Sequence, residues 1–357
     1  MPAQTSGRAT APPTILSRRA FLRTTAYGSA GAALSGLWHG CASSRGLADR
    51  YAGADSDRYL GSVRVETKVD DDGVFLEGPA VDRAGTVYFT NVPASDILTW
   101  QPGSRQLAVF RPDSHMANGL LFDAQGRLLA CEGEAGRVTR TNLQTGQIEV
   151  LADTYEGHPL EAPNDLALDE RGRIYFSSRP GPAPSQGYVN AVYRIDPDGS
   201  LHQLLREPDV HMPNGIVVSP DGRVLYLIEA HADAHRNRSI KAYDLQADGL
   251  LANARTLVDF YPGRSGDGMC IDAEGNLYVA AGLHHLRSTS ETLDTRPGIH
   301  VISPAGELLA FRETPVDTVT NCTFGGEDLQ TLYVTCGDLL LSIPTQIPGA
   351  PSYRPRP

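Results

Sequence analysis

A segment with one pattern recurs six times along the chain. Each copy opens with an acidic or amide residue and continues with an apolar strand, a turn of the Asp-x-x-Gly type and a second apolar strand, as in NDLALDERGRIYF and DGMCIDAEGNLYV. The six opening residues are Glu77, Asn118, Asn164, Asn214, Asp267 and Asn321. Successive openers are about 41 to 54 residues apart, a period typical of four-stranded propeller blades.

The turn residues keep fixed offsets from the openers. An Asp lies five residues after the opener in four copies, at Asp82, Asp123, Asp169 and Asp272, with Ser219 in the fourth copy. A Gly lies eight residues after the opener at Gly85, Gly126, Gly172, Gly222 and Gly275. Asp can bond to its own backbone and Gly tolerates positive φ, so this spacing predicts tight hairpins. The sixth copy departs, with Gly325, Gly326 and Asp328 in the turn.

Third and fourth strand candidates follow each repeat, but the last repeat has no fourth strand at the C-terminal end. SVRVETKV, which starts at residue 62, has the alternation needed to supply it. Closure in this way removes exposed sheet edges. The sequence predicts an all-β fold, a six-bladed β-propeller closed by an N-terminal strand, over residues 59–345. A pair of β-sandwiches would not explain openers in register. Residues 346–357 are expected to form a Pro-rich C-terminal tail.

The N-terminal region is typical of a targeting segment. SRRAFLR at residues 17–23 matches the twin-arginine export pattern, and a Gly/Ala-rich apolar stretch too short for a permanent membrane span follows. Residues 1–41 are predicted to be an export signal and residues 42–58 a flexible tether. Cys41 is a candidate for lipid attachment. We expect a periplasmic or cell-envelope protein, either free or anchored by that lipid.

Composition excludes some partners and some chemistry. A net charge of −11 argues against a nucleic-acid surface, which needs a basic face. The cysteines match no zinc or nucleophile pattern, and a bridge between Cys322 and Cys336 stays open. No Gly-x-Ser-x-Gly motif or Ser-His-Asp order is present, so a serine hydrolase is not expected.

The openers predict a cation site on the propeller axis. The innermost strand of a blade lines the channel, so Glu77 and Asp267 would bring carboxylates to its mouth beside four amides. Converging carboxylates are costly without a cation, and oxygen donors suit Ca²⁺, with Mg²⁺, Mn²⁺ or Zn²⁺ as other divalent candidates. Asn118 and Asn321 are the members most expected to be structural or to contact substrate.

Further residues are candidates for chemistry around this ring. Asp267 would act as a general base toward water or as a nucleophile. His284 lies in a long loop after the second strand of blade five, where it would be either an acid/base group or a surface residue. Arg179 and Glu229 end second strands and are candidates for the pocket wall.

The repeats resemble the gluconolactonase, regucalcin (senescence marker protein) and luciferin-regenerating enzyme family. Stretches such as LEGPAVD, APNDLALDERGRIYF and MPNGIVVSPDGRVLY carry the resemblance, which spans about residues 77–342. It implies a six-bladed propeller with a central divalent cation and lactone hydrolysis as the commonest activity. The residues that it implies as metal ligands are Glu77, Asn214 and Asp267, with Asn164 on the metal or the substrate. It also implies Asp267 as the acid/base.

Two departures from the family fall near the expected pocket. Ala162 stands two residues before Asn164, where the animal sugar lactonases place an arginine, and SSRP at residues 177–180 replaces the Thr-Asp-Pro of bacterial relatives. Both put the particular lactone in doubt more than the reaction.

The leading functional hypothesis is a Ca²⁺-dependent hydrolase of small sugar lactones. Asn118, Asn164, Arg179 and His284 are the candidate substrate contacts. Two alternatives stay open: the same site acting on other lactones or phosphotriesters, and a non-catalytic propeller stabilised by calcium. Glu77 and Asp267 favour the enzyme, because a binding module would not need carboxylates facing the axis.

Overall fold

The computed structural model describes residues 51–54, 56–181 and 188–351. The expected export signal, Cys41 and most of the expected tether lie outside these ranges. The described chain has one short helix, α1 (Ser56–Tyr59), and is otherwise built of strands. No helix within these ranges has the length and hydropathy to cross a membrane.

Six antiparallel four-stranded sheets form the blades of the propeller. Blades one and two contain β2 (Leu76–Val81), β3 (Val87–Asn91), β4 (Asp96–Gln101), β5 (Gln106–Arg111), β6 (Ala117–Phe122), β7 (Leu128–Glu132), β8 (Arg137–Thr141) and β9 (Ile148–Ala152). Blades three and four contain β12 (Ala162–Leu168), β13 (Ile174–Arg179), β14 (Ala191–Ile195), β15 (Leu201–Arg206), β16 (Pro213–Val218), β17 (Val224–Ala230), β18 (Arg238–Leu245) and β19 (Leu251–Asp259). Blade five contains β20 (Gly266–Ile271), β21 (Leu277–Ala281), β22 (Gly298–Ile302) and β23 (Leu308–Glu313).

The sixth blade is completed by the N-terminal strand. Its strands are β24 (Val319–Gly325), β25 (Thr331–Cys336), β26 (Leu339–Pro344) and β1 (Arg64–Lys68). β1 pairs antiparallel with β26, with Arg64 opposite Ser342 and Lys68 opposite Leu339. The predicted all-β, six-bladed propeller closed by an N-terminal strand is confirmed, because the two ends of the chain share one sheet.

The predicted hairpins form at the expected Asp and Gly positions. In blade one the Gly85 N–H donates to the Asp82 carbonyl, and the Asp82 carboxylate accepts from the backbone N–H groups of Ala84 and Thr86. The corresponding pairs in blades two to five bond in the same way. A two-stranded hairpin, β10 (Thr154–Tyr155) with β11 (His158–Pro159), is an addition that the repeat did not predict.

Apolar side chains from neighbouring blades pack against one another and hold the ring together. One cluster joins Leu129 and Cys131 of blade two to Leu166, Ile174 and Phe176 of blade three. Each such fully buried side chain contributes roughly 1.5–3 kcal/mol. The alternation of β-branched and aromatic residues in the repeat therefore sets which faces are buried.

The cysteines of the described chain are free thiols. Cys322 lies opposite Val334 and Cys336 lies opposite Val319, so the pair considered for a bridge is out of register. A different pair is close, because the Sγ atoms of Cys270 and Cys322 are 3.5 Å apart on the inner strands of blades five and six.

Candidate metal centre and active site

Each innermost strand carries a local irregularity at or beside its opening residue. In blade three the register shifts between Pro163 and Leu166, and Asn164 lies inside that gap. Asn214 in blade four and Asp267 in blade five lie in equivalent gaps. A bulge bends the strand and re-aims its side chains. Four of the six openers thus lie inside such a gap, and Glu77 and Asn321 lie at the edge of one.

Glycines after the openers let adjacent blades approach closely at this level. A Cβ on Gly119 would lie 2.7 Å from the backbone oxygen of Asn164 in the next blade, and a Cβ on Gly215 would lie 2.7 Å from that of Asp267. Such distances are too short for any side chain. These glycines bring consecutive openers together around the axis.

The opener side chains converge as buried groups. Glu77, Asn164, Asn214 and Asp267 are each less than 8 % exposed. The Asn214 amide nitrogen donates to Oδ1 of Asp267 at 2.6 Å, which joins blades four and five directly. Glu77 from blade one lies within electrostatic reach of Asp267. Residues distant in sequence thus share one acidic pocket.

The Glu77 carboxyl is strained electrostatically in this pocket. Burial raises its pKa well above the ordinary value, and the negative charges of Asp267 and Asp165 raise it further. The Gly78 N–H, which donates to Oε2 at 3.1 Å, and the Arg179 charge lower the pKa but do not reverse the rise. A cation between these carboxylates would remove the repulsion.

Asp165 is a third acidic member that the sequence analysis missed. Burial raises its pKa to about 7, while the Leu166 N–H and the Asn321 amide lower it by hydrogen bonding. The Asn321 nitrogen lies 3.3 Å from Asp165 Oδ2. One sequence signal marks this position, since four of the six copies have Gly directly after the opener and the third copy has Asp.

Arg264 is a second residue that the motif did not reveal. Its Nη2 donates to Asp267 Oδ2 at 2.5 Å, and its Nη1 donates to the carbonyls of Gly282 and Val319 at 3.3 Å. The guanidinium is buried. It therefore ties the Asp267 carboxylate to the loop after β21 of blade five and to the start of β24 in blade six.

The donor set fits a hard divalent cation. The buried Oδ1 of Asn164 has no hydrogen-bond partner among the described residues, and a buried oxygen without a donor is a ready ligand. No group of three His, Cys, Asp or Glu side chains within the described ranges is arranged to hold a metal, so amides must supplement Glu77 and Asp267. Asn214 presents its nitrogen to Asp267 and would have to reverse its amide to bind through oxygen.

Comparison with known families agrees with this geometry. A family model described as the SMP-30/gluconolactonase/LRE-like region matches residues 75–338, most of the propeller. The chain belongs to this family. The match includes all six openers, so the resemblance noted from the repeats is confirmed.

Members of the family with known names are similar over most of their length. The gluconolactonase of Zymomonas mobilis subsp. mobilis is 28% identical over 303 residues, covering 76% of this chain and 79% of the relative. The regucalcin of Oryctolagus cuniculus is 27% identical over 286 residues, covering 78% and 88%. The solved gluconolactonase of Xanthomonas campestris is 29% identical, has a TM-score of 0.68, and matches over 81% of this chain and 91% of its own.

Arg179 and Asn118, two further candidates for substrate contact, are less buried than the residues of the acidic pocket. Arg179 is half-buried at the end of β13 and acts electrostatically on Glu77 and Asp165. Asn118 is half-buried, and its carbonyl accepts from the Thr90 hydroxyl at 3.1 Å. Both therefore lie at the level of the ring with side chains that solvent can reach.

His284 and Glu229 are engaged elsewhere among the described residues. The Nε2 of His284 lies 3.0 Å from the Thr314 carbonyl oxygen, and the His284 N–H donates to Asp317. Glu229, a candidate for the pocket wall, is fully buried and accepts from the backbone N–H groups of residues 211–212. Its carboxylate therefore holds the loop that leads into β16.

The channel of this family member continues past Glu77, Asn164, Asn214 and Asp267, which together are called the acidic ring. A cavity of about 780 Å³ lies toward the hairpin turns and is walled by the inner strands of all six blades. Asp165, Asn321, Cys270 and Cys322 belong to its lining, whereas Glu77, Asn164, Asn214 and Asp267 do not. Asp165 and Asn321 therefore separate the ring from the cavity below it.

Proposed function

We propose that the protein is a divalent-cation-dependent hydrolase of lactones, with calcium as the expected ion and Glu77, Asn164, Asn214 and Asp267 as the residues that hold it. Three features support the proposal: the acidic ring, the unpaired Asn164 oxygen and the similarity to gluconolactonases. When bound, the cation would polarise the lactone carbonyl and lower the pKa of water.

In the proposed reaction Asp267 first accepts a proton and then donates one. Water attacks the carbonyl carbon, the ring C–O bond breaks, and the ring oxygen leaves as a hydroxyl group. Asp267 takes the proton from the attacking water and returns one to the leaving oxygen, so that a hydroxy acid is formed. Its contact with Arg264 holds the carboxylate in one orientation for both steps.

The observation that carries the proposal is the convergence of Glu77 and Asp267 in one buried pocket. A buried carboxyl such as Glu77, whose pKa is raised by burial and by the charge of Asp267, is not needed by a propeller that only binds a partner. Arg264 supplies one positive charge to Asp267, which leaves the negative charge of Glu77 without an ion pair among the described residues. A resident cation explains why both acids stand there.

Acid release from a small panel of lactones, glucono-δ-lactone included, tests this function. The rate is measured after removal of metal with a chelator and after addition of Ca²⁺, Mg²⁺, Mn²⁺ or Zn²⁺ in turn, corrected for uncatalysed hydrolysis. We expect activity only with added metal, and a loss of about 10³-fold or more for Asp267→Asn. Glu313→Gln, which removes one exposed charge far from the ring, should leave the rate unchanged.

Three outcomes would redirect the proposal. Unchanged hydrolysis by chelator-treated protein would reject the metal mechanism. Ca²⁺ binding without hydrolysis of any lactone would favour a calcium-stabilised binding propeller, the alternative that similarity to regucalcin supports. Hydrolysis of phosphotriesters in preference to lactones would assign the same ring to another substrate class.

A further inference from the structure

Three arginines surround the acidic ring. Arg179 ends β13 in blade three, Arg264 precedes β20, and Arg287 lies in the loop that follows β21. Burial lowers the pKa of Arg287 and the nearby Arg264 charge lowers it further, which places two positive charges close together beside Asp267. The ring is therefore flanked by positive charge on two sides.

Arg264 and Arg287 have protein partners. Arg264 bonds to Asp267 and to two backbone carbonyls. Arg287 donates to the Thr318 hydroxyl at 3.2 Å and is balanced by the charges of Asp317 and Glu291. Negatively charged groups therefore balance both guanidinium charges.

Arg179 differs from both. Within the described ranges its guanidinium makes no hydrogen bond and no ion pair, although the side chain is half-buried. Its charge lowers the pKa of both Glu77 and Asp165. A guanidinium carries five N–H donors in a planar fork that matches a carboxylate or phosphate. Because solvent reaches this guanidinium and no protein group occupies its donors, a ligand group can replace the water there.

Charge balance at the ring points the same way. A divalent cation held as proposed above would neutralise Glu77 and Asp267, which leaves Asp165 as the remaining acid within reach of Arg179. The Asn321 amide nitrogen already donates to that carboxylate at 3.3 Å, and in the described part of the chain Asp165 forms no ion pair with Arg179. Arg179 would then be the least compensated charge at the mouth of an otherwise acidic protein of net charge −11.

We propose that the lactone substrate carries an oxyanion, a carboxylate or a phosphate group, away from its reacting carbonyl, and that Arg179 binds that group. The inference rests on the proposed function and specifies its substrate class. A neutral sugar lactone offers only hydroxyl oxygens to Arg179, whereas an oxyanion forms charge-assisted, bidentate bonds with it.

Three lactones distinguish these cases: glucono-δ-lactone, its 6-phosphate and a carboxylate-bearing aldaric acid monolactone. We expect kcat/KM for one of the two anionic lactones to exceed that for the neutral one by about 10-fold to 100-fold. Salt should reduce this ratio, because partly exposed charges are screened. Which anionic lactone is preferred identifies phosphate or carboxylate as the recognised group.

Variants at Arg179 provide the second arm. Arg179→Gln should collapse the ratio between anionic and neutral lactones, and Arg179→Lys should restore part of it because the charge remains. Arg255 lies on the outer strand β19 and forms an exposed ion pair with Asp244. Arg255→Gln removes the same charge as Arg179→Gln but should keep the wild-type ratio. An equal loss on all lactones in Arg179→Gln would show a structural role and overturn the inference.

Failure of the proposed function gives a separate result. If no lactone is hydrolysed with any metal, the inference is still tested by calorimetry, which measures the affinity of the metal-loaded protein for the anionic and the neutral lactones. Preferential binding of the anionic lactone that is lost in Arg179→Gln would support it, and equal or absent binding would overturn it. Hydrolysis of the neutral lactone alone would keep the lactonase and reject the anionic substrate.

Discussion

Arg264 and Asp267 form a buried ion pair only three residues apart, with Nη2 and Oδ2 separated by 2.5 Å. The other oxygen of Asp267 accepts from Asn214. Both carboxylate oxygens are thus occupied by partners from different segments. Asp267, the residue proposed for proton transfer, is thus held by Arg264, which is a near neighbour in sequence but is not part of the repeat.

Removal of this contact should slow the reaction while the protein still folds. We expect Arg264→Gln to lower kcat by about 10-fold to 100-fold, because the carboxylate loses its fixed orientation. Arg264→Lys should recover part of the loss. Steady-state kinetics at saturating metal measure the effect, thermal unfolding checks the fold, and a kcat equal to that of wild type would deny Arg264 a positioning role.

Substitution of Glu77 should act in opposite directions with and without metal. Glu77 is buried, so Glu77→Gln removes a costly charge and should raise the melting temperature of the metal-free protein. Saturating calcium should stabilise the wild type by about 2–4 kcal/mol, as expected for a ligand at 100 to 1,000 times its Kd. Calorimetric scans with chelator and with calcium should show this gain largely lost in the variant; an equal gain in both proteins would exclude Glu77 as a ligand.

Glu229 should make stability depend on pH. Burial raises its pKa above the ordinary 4.5, although the Met212 and His211 N–H groups oppose the rise. The folded protein therefore holds this proton to higher pH than the unfolded chain does, and stability is lost as pH rises from about 4.5 through the raised pKa. Urea unfolding across this range should show that Glu229→Gln gains stability relative to wild type as pH rises. A difference independent of pH would contradict the assignment, and Glu313→Gln, at an exposed carboxylate, is the control.

Close approach of the inner strands should make Gly119 intolerant of a side chain. Its Cβ would meet the backbone of Asn164 and Asp165 at 2.7–2.8 Å. We expect Gly119→Ala to reduce the free energy of unfolding by about 1–3 kcal/mol, because the ring must expand. Gly103 has open space around it and provides the matched control, Gly103→Ala. Equal urea midpoints for the two variants would show that the blades are not packed this tightly.

The repeat itself was sufficient to predict the propeller. Six openers about 41 to 54 residues apart, most of them followed by an Asp and a Gly at fixed offsets, defined the inner hairpins. The incomplete last blade identified the strand that starts at residue 62 as its missing member. These features are local or periodic, so they can be read from the order of residues. The convergence of Glu77 and Asp267 followed because equivalent positions in a closed radial array face one axis.

Contacts between segments that lack a shared pattern could not be predicted in this way. Arg264 reaches Asp267 because the chain before β20 folds back on itself, and Asp165 reaches Asn321 across the channel. Glu229 occupies the same strand end as Arg179, yet one is buried against backbone N–H groups and the other lies at the mouth. The sequence by itself determined the ring and its oxygen donors, whereas burial and the pairing of charges were decided only by the tertiary structure, since both depend on which side chains from other blades fill the space around each group.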